Sequence, residues 1–322
     1  MLSFFDNYKQ LALDFSSSES AVSTGQLIDC LGIGLATLDR FLLLDHYPQP
    51  DQKIEAVGAR VCGGGPVANA VYLLGKLGAK TAYYGILGKD AAGQQIIEEL
   101  QAADVDTSSV VIDPSFNTPE AQIWVDKSSG ARNVSLSCGQ AIPSLLSCLP
   151  VEMIKRSRHI LLDGRDIEAG LETARLTKFS ESKIVCDFGS VRPQIDLLIG
   201  SVDILIVSSD FARDFTGEDN NKEYTLKKLS KYGAEISVIT YGGEGCIWKD
   251  ITGIRRHPAY DVKVLDTTGA GDAFHGGFIY GLIQGWDHKK CIEFASRCAA
   301  MTCTILGGRD AIQSEEDVWN VL

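Results

Sequence analysis

Between Asp266 and Phe274 the chain reads Asp-Thr-Thr-Gly-Ala-Gly-Asp-Ala-Phe. Gly269-Ala270-Gly271 carries almost no side chain, and a helix with an apolar stripe at Phe274, Phe278 and Leu282 follows it. Backbone N–H groups at such a helix start lack intrahelical partners and sit at the positive end of the helix dipole, so they can converge on an anion. Asp272 falls in the first turn, where a carboxylate is expected to stay ionised and to accept a proton from an attacking hydroxyl. A donor cradle followed at once by a base is what phosphoryl transfer needs, because charge builds on the oxygens of the transferring group. A glycine turn closed by a capping aspartate accounts for the same letters, since short glycine motifs are common.

The elements that must hold this loop show as alternation. Apolar runs rich in Val, Ile and Leu occur at Ile28–Ile33, Thr81–Ile86, His159–Asp163, Lys183–Asp187, Asp203–Val207 and Ile236–Thr240, as in strands buried on both faces of a parallel sheet. Helical patterns lie between them at Val67–Leu77, Ala91–Ala103, Glu168–Phe179 and Tyr224–Tyr232. This order predicts a doubly wound, mostly parallel α/β sheet flanked by helices. Two stretches break it. Leu35–Asp45 with Lys53–Val61, and Ala121–Val125 with Val134–Cys138, read as antiparallel pairs, the second joined by turn residues 126–130. They predict a small separate β-sheet, a natural lid, with its strands inserted at about 35–62 and 120–139. Gly277 and Gly281, four residues apart after the loop, would let a neighbouring backbone approach closely.

The 322 residues are enough for a large core, and they divide into an extension over 1–26 and one domain over 27–322. The first 26 residues contain Asp6, Asp14, Glu19 and a serine cluster, and lack the basic-then-apolar pattern of a signal peptide. A net charge of -12 without a basic stripe argues against nucleic acid as a partner, and no apolar run reaches membrane-spanning length. Nine scattered cysteines without Cys-x-x-Cys spacing read as reduced, buried thiols of a cytoplasmic protein.

The stretch 266–274 resembles the C-terminal signature of the ribokinase, or phosphofructokinase B, family of sugar kinases. Gly63-Gly64-Gly65-Pro66-Val67-Ala68-Asn69-Ala70, continuing through Leu77-Gly78-Ala79 to Gly85-Ile86-Leu87-Gly88-Lys89-Asp90, resembles its N-terminal signature, and the likeness runs from about Ile28 to Ala311. The resemblance implies a Rossmann-like core with a β-sheet lid, ATP and Mg²⁺, a homodimer through the lid, Asp272 as base and Gly269, Ala270 and Gly271 as anion hole. It also implies that Asp39, Gly64, Gly65 and Asn69 hold the sugar and that Arg132 lies near the transferred phosphate. Thr240, Gly242 and Gly245 would lie along the nucleotide, Ala300 and Cys303 would wall its base, and Asp266 and Thr268 match positions near a potassium site. The family often carries Asn-x-x-Glu tied to the Mg²⁺ water shell; in this chain Ser208-Ser209-Asp210-Phe211 stands instead. Gly34-Leu35 through Leu38-Asp39-Arg40, Gly-Gly-Gly-Pro at 63–66, Asp163-Gly164-Arg165 and Gly307-Gly308-Arg309 look like the ketohexokinase and sulfofructose kinase branches, pointing to a ketose. Lys53 and Arg165 would suit an anionic tail on that sugar, because Arg presents a bidentate fork. A nucleoside kinase, or a catalytically silent binding protein on the same fold, are the competing readings. A dinucleotide-dependent oxidoreductase rests on Gly32-Ile33-Gly34 without the third glycine and is discounted.

Overall fold

The structure is a computed structural model that describes residues 27–138, 143–218 and 221–321, so the expected N-terminal extension and the end of the second lid insert lie outside the described residues. In chain order the strands are β1 (Ile28–Ile33), β2 (Thr37–Leu44), β3 (Gly58–Gly64), β4 (Thr81–Tyr84), β5 (Ile86–Gly88), β6 (Val105–Asp106), β7 (Val111–Asp113), β8 (Glu120–Asp126), β9 (Arg132–Ser137), β10 (Ser157–Leu162), β11 (Lys183–Phe188), β12 (Ile204–Ser208), β13 (Ile236–Thr240), β14 (Cys246–Asp250) and β15 (Gly253–His257). The helices are α1 (Pro66–Lys76), α2 (Ala91–Ala102), α3 (Val151–Lys155), α4 (Ile167–Thr177), α5 (Ile195–Ile199), α6 (Ser209–Thr216), α7 (Lys222–Leu229), α8 (Ala270–Ile283), α9 (His288–Thr302) and α10 (Glu315–Val321).

Nine strands form one sheet in the order β15-β14-β13-β12-β11-β10-β1-β4-β6, parallel except that β14 pairs antiparallel with both neighbours. Side chains alternate across a strand, so each apolar run serves two cores. Leu161, Val185, Ile206 and Val238 enter one core with residues of α1, α8 and α9. Leu162, Cys186, Leu205, Val207 and Ile239 enter the other with residues of α4, α5, α6 and α7. That double burial is why the runs do not alternate with polar residues. β1 continues to β4 on one side and pairs β10 on the other, so the strand order reverses beside β1. In sheets of this kind the crevice at the carboxyl ends of the strands near such a switch is where ligands bind.

Two sequence expectations need correction. The run Thr81–Ile86 is not one strand: it breaks at Gly85, where a Cβ would stand 2.1 Å from the Tyr83 hydroxyl, and β5 leaves to pair with β7. The edge pair β14–β15 has no counterpart among the expected strands, because its exposed turn and outer strand lack a long apolar run.

β2–β3 and β8–β9 are antiparallel pairs, as read from the sequence. They are joined by a parallel β2–β8 contact into one four-stranded sheet, β3-β2-β8-β9. Phe41, Cys62, Ala121, Ile123 and Val125 form its own small core.

Helix α8 is held in place by the absence of side chains. A Cβ at Gly276 would approach the Ala70 carbonyl of α1 at 3.0 Å, and at Gly277 and Gly281 the Cα atoms of Ala295 and Cys291 on α9 at 2.9 and 3.0 Å. All nine cysteines are unbridged, and no described helix is long and apolar enough to cross a membrane.

Candidate active site

Gly269 caps α8 with φ 78°, a left-handed conformation that glycine adopts without a Cβ penalty. No side chain caps this helix start. A Cβ at Gly271 would meet nothing within 4 Å, and one at Gly269 nothing nearer than 3.7 Å, so the cradle read at Gly269, Ala270 and Gly271 opens into free space. The fourteen-residue helix behind it places the positive end of its dipole there.

Asp272 stands one turn in, half-buried, with Asn69 Nδ2 donating to its Oδ2 at 2.6 Å. Pro66 opens α1, where its missing N–H is not needed, and this puts Asn69 in the first turn of α1 beside α8. Burial pushes the Asp272 carboxyl up to about 7 and the Asp187 carboxylate adds to the push, while the Asn69 donor, His275 and Arg132 pull it back. The expectation that the helix dipole alone keeps this carboxylate ionised is therefore corrected: desolvation outweighs the dipole. A proton affinity near neutrality is where a general base works best.

The small sheet reaches this loop through its β8–β9 turn. Arg132 Nη1 donates to Thr267 Oγ1 at 2.8 Å, and Thr267 in turn donates to the Gly130 carbonyl at 3.2 Å. Asp266 is fully buried. Its Oδ1 accepts from the Thr268 amide at 2.9 Å and hydroxyl at 2.7 Å, and its Oδ2 accepts from the Gly307 amide at 2.8 Å. Asp266 and Thr268 thus clasp the loop, and no group of three or more His, Cys, Asp or Glu able to hold a metal occurs among the described residues.

The three glycines of the N-terminal signature are required for three separate reasons. A Cβ at Gly63 would stand 2.1 Å from Arg309 Nη1, one at Gly64 would stand 2.0 Å from Asp39 Oδ2, and Gly65 takes φ 94°. Asp39 is buried, accepts from the Thr37 hydroxyl at 2.5 Å, and has its carboxyl raised by burial against the pull of Thr37 and Arg309. Asp39 lies against Gly64, and Arg309, whose charge acts on Asp39, donates to Asn69. Lys53 is not brought to them: it is exposed in the β2–β3 loop, because the strand expected from Lys53 starts only at Gly58. Arg165 follows β10, 4.0 Å from the buried Asp163 carboxylate, and lines a cavity of about 550 Å³ with Gly34, Leu35 and Arg192.

On the other flank, Thr240 ends β13 half-buried and Gly242, φ 56°, faces open space. Gly245 is required for packing: at φ 82° a Cβ would stand 2.0 Å from the His257 carbonyl. Ala300 is buried within α9, and the Cys303 carbonyl closes the signature loop by accepting from the Leu265 and Asp266 amides. Ser208 caps α6 through the Phe211 amide. Asp210 pairs with Arg213 at 2.7 Å on the surface, so it does not replace the absent Asn-x-x-Glu.

Sequence reasoning missed Asp187 and Glu99. Asp187 lies at the carboxyl end of β11; its buried Oδ2 makes no hydrogen bond among the described residues and sits 3.4 Å from His275 Nδ1. A charged residue closing an apolar parallel strand was the available signal. Glu99 on α2 accepts from the Gly63 amide at 2.7 Å and pairs with Arg309 at 2.9 Å, contacts that leave no mark in the sequence.

An open helix start with a carboxylate beside it, at the carboxyl edge of a doubly wound sheet and clasped by a small second sheet, is an arrangement suited to phosphoryl transfer onto a small hydroxylated molecule. The chain belongs to the pfkB family of carbohydrate kinases, whose profile matches residues 27–315, and it is a sugar kinase. It is 28% identical to the 5-dehydro-2-deoxygluconokinase of Halalkalibacterium halodurans, over 92% of this chain and 95% of the relative. It is 25% identical to the ribokinase of Haemophilus influenzae, over 90% and 97%. Among solved structures, a putative ribokinase from Agrobacterium tumefaciens superposes with a TM-score of 0.82 at 22% identity, covering 92% of this chain and 97% of that one. Arabidopsis thaliana ribokinase complexed with ribose and ATP gives 0.79 at 23%, covering 91% and 98%.

Proposed function

We propose that this kinase transfers the γ-phosphoryl group of ATP to a hydroxyl of a ketose or an anionic ketose derivative. The observation that carries the reading is Asp272, its Oδ2 held by Asn69, at the lip of an uncapped helix start. In the proposed step the free carboxylate oxygen takes the proton of the acceptor hydroxyl. The hydroxyl oxygen bonds to phosphorus, and the bond to the bridging oxygen breaks as ADP leaves with the electron pair. The amides of Gly269 to Gly271 hold the charge on the moving group, and Arg132 adds a cation at the clasped sheet. Asp39 is suited to two sugar hydroxyls, since a carboxylate offers two acceptor oxygens.

Mg²⁺ accompanies ATP in this reading and supplies charge neutralisation on the phosphates. The buried Asp187 oxygen, 3.4 Å from His275 Nδ1 and without a hydrogen bond among the described residues, fits a role towards its water shell, and Asp210 does not. Potassium near Asp266 and Thr268 rests on the family resemblance alone; in this structure the Asp266 oxygens accept from Thr268 and Gly307. Arg165 and Arg192 line one cavity, which favours an anionic sugar, although Asp166 and Glu168 line it too. The sheet face bearing the exposed Leu42, Val61 and Trp124 supports a homodimer through the lid, and nine unbridged thiols support a cytoplasmic location.

The test is ADP release by the folded protein with Mg²⁺ against ketoses, aldoses, their anionic derivatives and nucleosides. A nucleoside preferred to every sugar would favour the second reading, which a nucleoside kinase 26% identical over 84% of this chain keeps in view. No release with any acceptor would refute the catalytic assignment and leave a silent binding protein.

A further inference from the structure

Arg309 follows two left-handed glycines, Gly307 and Gly308, and turns back into the protein. Its side chain is 3% exposed. Its Nε donates to Asn69 Oδ1 at 2.8 Å and its Nη1 to Glu99 Oε2 at 2.9 Å, and the guanidinium lies over the Tyr72 ring at 4.9 Å. The contact with Asn69 has a chemical consequence. A carboxamide can present either its oxygen or its NH₂ to a neighbour, whereas a guanidinium only donates. Arg309 therefore obliges Asn69 to turn its oxygen towards the guanidinium, and its NH₂ then has one direction left, towards Asp272 Oδ2.

We propose that Arg309 is a positioning residue that locks the Asn69 amide as a donor to Asp272, leaving the second carboxylate oxygen to receive the proton of the acceptor hydroxyl. The inference rests on the role proposed for Asp272. Without the lock, Asn69 can rotate and accept a hydrogen bond from protonated Asp272, which stabilises the acid form and removes the base. A carboxyl already raised to about 7 by burial and Asp187 is close enough to protonation for this choice to matter. The charged groups facing Asp272 are Asp187 from β11, Arg132 from β9 and His275 from α8 itself. Those facing Arg309 are Glu99 from α2 and Asp39 from β2, with Cys62 from β3 and Tyr72 from α1.

The experiment compares kcat/KM against pH for the wild type, Arg309→Gln, Arg309→Lys and Gly63→Ala. Gly63→Ala retains every charge but places a Cβ 2.1 Å from Arg309 Nη1, so it displaces the guanidinium from its contacts while leaving the charges of Arg309 and Glu99 in place. Arg309→Gln and Gly63→Ala are expected to move the acidic limb upward by about one pH unit, the tenfold effect of one hydrogen bond to a charged group. Arg309→Lys, still a donor only, should leave it near wild type, and the high-pH plateau of all three should stay within about threefold of wild type. Titration of the Asp272 carboxyl by ¹³C NMR, assigned by its loss in Asp272→Asn, reads the same shift with no substrate present. A shifted NMR titration without sugar turnover would uphold the lock and refute the kinase step. A titration and limb unmoved in Gly63→Ala, or a plateau lowered with the limb unmoved, would overturn the proposal. If Arg309→Gln folds poorly, the pair Arg309→Gln with Glu99→Gln removes both charges and carries the same expectation.

Discussion

Replacing Asp272 by asparagine should make the protein more stable at alkaline pH and nearly inactive. The carboxyl is raised from its ordinary value of 3.8 to about 7, so ionising it costs the folded state stability. That cost is absent below 3.8, grows as the pH rises, and is complete above about 7. Roughly three pH units at 1.36 kcal/mol each give about 4 kcal/mol, which water in the open crevice reduces to about 1–2 kcal/mol. The substituted asparagine would carry no charge to desolvate, and its amide oxygen would still accept from Asn69 Nδ2. Thermal unfolding at pH 8.5 should therefore show a gain of about 2–3 °C over the wild type, shrinking towards pH 5. Turnover should fall by roughly 10²–10⁴, the usual contribution of a general base. If Asp272 were only a helix-start carboxylate, the substitution would instead lose about 0.3–1 kcal/mol of dipole stabilisation and spare activity. The stability change thus tests the raised carboxyl and the turnover tests the general base, and a variant that stays active refutes the general-base role.

Further consequences can be checked in the same assays. In the wild type, kcat/KM should rise with pH through a limb near 7, because only the ionised Asp272 takes the proton; a flat profile from pH 5 to 9 contradicts this. Asp187→Asn removes the second cause of the raised carboxyl and should move that limb to lower pH, whereas Asp210→Ala, on an exposed pair with Arg213, should leave turnover within about twofold of wild type. Gly281→Val forces a side chain against the Cα of Cys291 and should destabilise by about 1–3 kcal/mol or more, read by denaturant midpoint. Arg132→Met breaks the contact with Thr267 and should lower kcat at least tenfold, with the unfolding midpoint little changed because the pair is exposed.

What the sequence alone determined is what short-range chemistry can write. Continuous apolar runs announced the parallel strands, because a strand covered on both faces has no polar side to alternate with. Gly269 to Asp272 spelled out an uncapped helix start with a carboxylate in its first turn, because that geometry is set within four residues. Gly277 and Gly281 required a close helix neighbour, and α9 is that neighbour.

Tertiary structure decided what depends on residues far apart in the chain. The parallel β2–β8 joint that makes one small sheet of two hairpins is a pairing no local pattern encodes. The raised carboxyl of Asp272 comes from burial and from Asp187, 85 positions away, and reverses the expectation drawn from the helix dipole. Lys53 stayed in solvent while Arg192 came to stand with Arg165. The chain from Glu99 through Arg309 and Asn69 to Asp272 joins α2, the C-terminal loop, α1 and α8. A helix start is a local object, but the protonation state of the group upon it is set by whatever charges and donors the fold brings within a few ångströms.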